Sequence, residues 1–69
     1  METKKLIGLN NPDNIVSFLH KNGNHIILDE NQGFNVTNKT IEIWGRFING
    51  GQYRVTRFNK SSVAMFFYN

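Results

Sequence analysis

His20, His25, Asp29 and Glu30 fall within one short stretch of the chain, and their side chains are all metal-ligand types. A shared site needs a local geometry that turns them toward one point. The two histidines are five positions apart, a spacing that matches neither a helical face nor a paired strand. No metal centre is expected, and His20 reads better as a cap at the end of a helix. Asp29 and Glu30 are adjacent, and on an extended chain neighbouring side chains point to opposite faces. They therefore do not form a proton-sharing dyad and read as turn residues. Ser17, Ser61 and Ser62 lack the GxSxG elbow of a hydrolase nucleophile. Gly50-Gly51 is followed by no helix, so it is a turn and not a phosphate loop. The sequence reads as a non-enzymatic protein without cofactors.

A different chemistry is concentrated in IEIWGRFINGGQYRVTRF, residues 41–58. The alternation of apolar and polar residues around Asn49-Gly50-Gly51 is that of a β-hairpin with arms Thr40 to Ile48 and Gln52 to Phe58. A two-residue Asn49-Gly50 turn would pair Ile48 with Gly51, setting Trp44 against Val55 and Glu42 against Arg57. A three-residue loop would pair Ile48 with Gln52, with Gly51 in the left-handed position. The pattern favours the second. It places Ile41, Ile43, Phe47, Tyr53 and Val55 on one apolar face, and Glu42, Trp44, Arg46, Arg54, Thr56 and Phe58 on the other. Arg46 then opposes Arg54, a like-charge pair that an anion or an acidic partner would relieve. Trp44, Arg46, Arg54 and Phe58, with Arg57 and Lys60 nearby, are the candidate contact residues. Aromatic and arginine side chains together characterise both interface hot spots and single-strand nucleic-acid platforms. The alternative is structural: Trp44 and Phe58 fill a second small core under the 30s loop, and the arginines lie solvated at its rim.

The hairpin must be carried by one small domain of 69 residues. Such a chain buries only about 60% of its unfolded surface. It has no cysteine to brace it, so a homodimer or a docked partner is a natural source of stability. The N-terminal METKKLIGLNNP has too few apolar residues for a signal peptide, and no stretch reaches membrane-spanning length. A soluble cytoplasmic location is expected. The three Asn-x-Ser/Thr sequons, at Asn35, Asn38 and Asn59, are read as incidental among 11 asparagines. That asparagine content, with many Lys and Ile, fits AT-rich coding, as in a low-GC bacterium or its phages and plasmids.

The charge of +3 is uneven. Residues 1–33 hold three cations and four carboxylates, 3 − 4 = −1; residues 34–69 hold five and one, 5 − 1 = +4. The basic half points to nucleic acid or an acidic protein as partner.

One helix is expected, over NPDNIVSFLHKNG. Asn11 suits the N-cap, Pro12 the first turn, Asp13 the dipole, and Gly23 the C′ position. Ile15, Val16, Phe18 and Leu19 form its apolar stripe. Strands are expected at Lys5 to Leu9, at 25–29, at Phe34 to Thr37, in the two hairpin arms and at Val63 to Tyr68. Gly33 turns the chain with positive φ, and Asn59 to Ser61 make a further turn. The last strand, VAMFFY, is apolar on both faces and reads as central or covered. The resulting fold class is α+β, one short N-terminal helix packed on an antiparallel sheet of four to five strands.

Three functional classes follow. One is a small inhibitor or adaptor, encoded by a phage or mobile element, docking through the basic–aromatic face on a host nucleic-acid-handling machine. The second is a direct DNA- or RNA-binding protein using the same face as a dimer. The third is a structural subunit joined through a sheet edge or face.

Overall fold

The computed structural model describes residues 6–69, and its regular elements are six strands and one short 3₁₀ turn. The strands are β1 Ile15–His20, β2 His25–Ile27, β3 Gln32–Val36, β4 Thr40–Arg46, β5 Gln52–Asn59 and β6 Val63–Tyr68. The 3₁₀ turn, Lys60–Ser62, links the last two. Two three-stranded antiparallel sheets result, with orders β2-β1-β6 and β3-β4-β5. The fold is therefore built of sheet, and the expected α+β arrangement is overturned: the segment assigned to the N-terminal helix is β1.

The reason lies in one bulge. Ile15 pairs with Tyr68 and Ser17 with Phe67, which leaves Val16 without a partner. A bulge restarts the alternation one residue later. Ile15 and Phe18 consequently both point inward, and with half-buried Leu19 they reproduce the i, i+3, i+4 spacing of a helical stripe. The expected capping residues also act, in another geometry. The Asn14 N–H donates to the Asn11 carbonyl (3.2 Å), closing a turn around Pro12-Asp13. Asn11 Oδ1 accepts from the Ile15 N–H (3.1 Å) while its Nδ2 donates to the Ile15 carbonyl (3.0 Å). Asn14 takes a left-handed φ of 55°, which asparagine tolerates and which directs the chain into a strand. Gly23 is left-handed as expected (φ 97°), but it closes the β1–β2 hairpin, where the His20 N–H donates to the Asn24 carbonyl (2.8 Å). His20 accordingly ends a strand; its Nδ1 accepts from the Asn22 N–H at 3.1 Å.

Other expectations shift by smaller amounts. Strands form at β2, β3 and β6 close to where they are expected, but Gly33 lies inside β3 with no positive φ. Of the strand expected at Lys5 to Leu9, Lys5 lies outside the described residues and 6–9 form no strand. β6 is an edge strand, not a central one. The β4–β5 loop does have three residues, but they are Ile48, Asn49 and Gly50: the Phe47 N–H donates to the Gly51 carbonyl (2.7 Å), and Gly50 takes the positive φ of 98°. Arg46 therefore faces Gln52, and Trp44 faces Arg54. A bulge in this hairpin, between Ile43 and Trp44, moves the half away from the loop to Glu42–Arg57 and Ile41–Phe58. Neither expected register describes the whole hairpin, and the Arg46–Arg54 pair does not form.

The two sheets share one core of Ile15, Phe18, Phe34, Val36, Ile41 and Ile43, flanked by Ile26, Leu28, Phe58, Val63 and Phe66. Phe18 is fully buried, its ring centroid 5.6 Å from Phe34, 5.3 Å from Phe58 and 6.2 Å from Phe66. Phe18→Ala should destabilise the fold by about 3 kcal/mol, the cost of a large cavity among aromatic neighbours. Urea unfolding measures it; a loss below about 1 kcal/mol would be incompatible with a packed ring at this position.

Candidate binding surface

The outer face of the β3-β4-β5 sheet is organised around one carboxylate. Side chains two apart on β4 share a face, so Glu42, Trp44 and Arg46 project together. Trp44 lies between Gly33 on β3 and Arg54 on β5, and Glu42 lies between Asn35 and Arg57. Glu42 Oε1 accepts from Trp44 Nε1–H (3.0 Å) and from Asn35 Nδ2 (2.9 Å). Its Oε2 is 3.6 Å from Arg54 Nη1. The carboxylate is largely covered, 15% exposed against 48% for Arg54. These donors stabilise its ionised form. The Trp44 and Asn35 hydrogen bonds and the Arg54 charge together outweigh the opposing effect of burial, and hold its pKa below the ordinary 4.5.

The N-terminal segment crosses this face. At β3 the Val36 N–H donates to the Asn10 carbonyl (2.7 Å), the Asn10 N–H to Asn35 Oδ1 (2.8 Å), and Asn10 Nδ2 to the Val36 carbonyl (3.0 Å). At β5 the Gln52 amide brackets Ile7, accepting from its N–H (2.9 Å) and donating to its carbonyl (3.0 Å). Leu6 and Leu9 lie on Gly33: a β-carbon there would sit 2.7 Å from Leu9 Cδ1 and 3.1 Å from Leu6 Cδ1. Gly33 is thus required for close approach of a strap and not for turning.

The expected contact residues divide accordingly. Trp44 and Arg46 are half-buried, and Arg54 and Arg57 are exposed, all four on this face. Phe58 is on the opposite side, paired with Ile41 and packed against Phe18 and His20. Lys60 lies past the end of β5. With Lys39, Asn38, Asn59 and Ser61 it lines an open cleft of about 410 Å³. The second core expected from Trp44 and Phe58 does not form: Phe58 joins the main core, and half-buried Leu6 and Leu9 lie over Gly33, the register neighbour of Trp44. Alternation along β4 already sets Glu42 on the tryptophan face; its role as the hub depends on Asn35 and Arg54, which come from the neighbouring strands. The period of two linking Glu42 to Trp44 was the available signal. Nothing local announced Gln52 or Leu9, whose roles come from contacts distant in sequence.

Among the described residues, Arg54–Glu42 is the one ion pair, and no three metal-ligating side chains converge. No described helix is long and apolar enough to cross a membrane. Comparisons with protein-family models, curated proteins and solved structures find no match for this chain.

Two outcomes test this surface. Because the folded state prefers ionised Glu42, its contribution is complete above pH 4.5 and lost as pH falls through the depressed value. Glu42→Gln should therefore be less stable than the parent at neutral pH, and the two should converge on acidification. Thermal unfolding from neutral pH to about pH 2.5 checks the sign. Gly33→Ala should displace Leu9 and accelerate amide exchange at Ile7 and Asn10, while the exchange rates of β1 stay unchanged.

Proposed function

We propose that this is a non-enzymatic binding protein of the cytoplasm, which docks through the outer face of the β3-β4-β5 sheet on an acidic or nucleic-acid-handling protein. It would act as a small inhibitor or adaptor by covering a functional surface of that partner. The observation that carries this reading is the charge imbalance of the face. Glu42 is the sole carboxylate in residues 34–69, and Arg54 engages it. Arg46, two residues from the half-buried Trp44, and Arg57, across from Glu42, make no ion pair among the described residues. Cations next to an aromatic ring that is already held in place suit an interface anchor, since little ordering remains to be done on binding.

Direct binding of DNA or RNA is the second reading, and the Lys39–Lys60 cleft at the end of the same sheet favours it. Phosphates can be neutralised there as well as along β5, though each contact needs its own cation.

The tagged chain, used as bait in an extract of its source cells, should retain a protein. The Arg46→Ala/Arg57→Ala variant should lose it by ~2 kcal/mol or more in affinity with unchanged thermal stability. Titration with single-stranded and duplex oligonucleotides covers the second reading. Binding whose log affinity falls steeply and linearly with log salt, and which weakens in Lys39→Ala/Lys60→Ala, would replace the protein partner by nucleic acid. If both pairs of substitutions leave every interaction intact, this face is not the contact surface.

A further inference from the structure

The opposite sheet presents a surface of another kind. β6 reads VAMFFY, without a charge or a proline, and among the described residues β1 is its one neighbour in the sheet. Edge strands of monomers are ordinarily interrupted by charge or proline, because their unpaired backbone groups can recruit another strand. The side chains on its outer face extend the same character. Register places Ile27, Ser17 and Phe67 in one cross-strand row, and His25, Leu19 and Met65 in the next. Ile27, Met65 and Phe67 are 66%, 54% and 39% exposed. The one hydroxyl in these rows is covered, because Ser17 Oγ lies 3.0 Å from His25 Nε2 and the His25 ring lies 5.1 Å from Phe67. Neither row contains a carboxylate, lysine or arginine.

We propose that β6 is the edge at which two copies of this chain join, giving a continuous six-stranded sheet in the order β2-β1-β6-β6-β1-β2. Charge selects a second copy as the occupant. Each chain carries +3, and Lys39, Arg46, Arg54 and Arg57 belong to the β3–β5 part of the chain. Two like-charged molecules meet at least cost where both are uncharged, which is this strip; an acidic partner is drawn to the other sheet. The geometry is also self-complementary. A two-fold axis through an antiparallel pair keeps each face continuous, so residues opposite each other must share a face. A pivot at Phe66 sets Met65 against Phe67 of the second copy, and Phe67 against its Met65. The row His25–Leu19–Met65 then runs on into Phe67, Ser17 and Ile27 of the other subunit. The basic faces stay on the remote sheets, where each can still engage its own partner.

Sedimentation equilibrium of the full chain at tens of micromolar should give about twice the 8.0 kDa chain mass. Met65→Lys/Phe67→Lys should return it to one chain mass with an unchanged circular dichroism spectrum, whereas Arg46→Glu should remain a dimer. A parent chain that stays at 8.0 kDa up to about 1 mM would overturn the proposal. So would a dimer that survives the double lysine change. If the lysine variant fails to fold, amide exchange of the parent decides. Protection of β6 that rises with protein concentration supports the shared edge, and protection independent of concentration refutes it.

Discussion

The ring of Phe18 is the contact on which both sheets depend. It projects from the central strand of one sheet and is fully buried, and its three aromatic neighbours come from three other strands. Phe34 and Phe58 belong to the second sheet, and Phe66 to the first. A chain of this size has few side chains that can fill the space between two sheets, and without cysteine it has no covalent substitute for packing. The 3₁₀ turn Lys60–Ser62 serves this arrangement. It carries the chain from β5 in one sheet to β6 in the other, so that Phe58 and Phe66 approach the same ring from both sides. The commitment of Phe58 to this cluster removes it from the outer face.

On that outer face a single carboxylate takes the place of a hydrophobic centre. Glu42 holds the Trp44 indole by its N–H, joins β3 through Asn35 and faces the Arg54 guanidinium. Buried acceptors of this kind are stabilising when their hydrogen bonds are complete and costly when they are not. Residues 6–10 then close over the network, fastened at β3 by Asn10 and at β5 by Gln52. The charged side chains left on the sheet so covered are those of Arg46, Arg54 and Arg57.

The two outer faces differ in physical character. One carries arginines around the tryptophan held by Glu42, and the other presents uncharged, mainly apolar rows along an edge strand that has β1 as its one neighbour among the described residues. An arginine-rich face exerts its influence through long-range electrostatics, and an apolar one through close contact. The core lies between them, so contact at one face leaves the other open.

Several features were determined by the sequence alone, because their causes are local. The strands β2 to β6 follow from alternation and β-branched or aromatic content, the presence of the 40–59 hairpin from the turn-forming Asn49-Gly50, and the left-handed Gly23 from the absence of a β-carbon. The sharing of one face by Glu42, Trp44, Arg46 and Arg54 follows from the period of two, whereas Arg57 reaches that face only through the bulge at Val55. The identity of β1 was decided by the tertiary structure. Ile15, Phe18 and Leu19 are spaced for a helix, Asn11-Pro12 can start a helix or a turn, and only pairing with both β2 and β6 selects a bulged strand. Registers were decided in the same way, since bulges at Val16 and Val55 add one residue to a strand without any local signature. The strap of residues 6–10, the need for glycine at position 33 and the edge position of β6 depend on residues far apart in the chain. Local propensity is a property of neighbouring residues, whereas bulges, registers and edges are settled by which strands come together around Phe18.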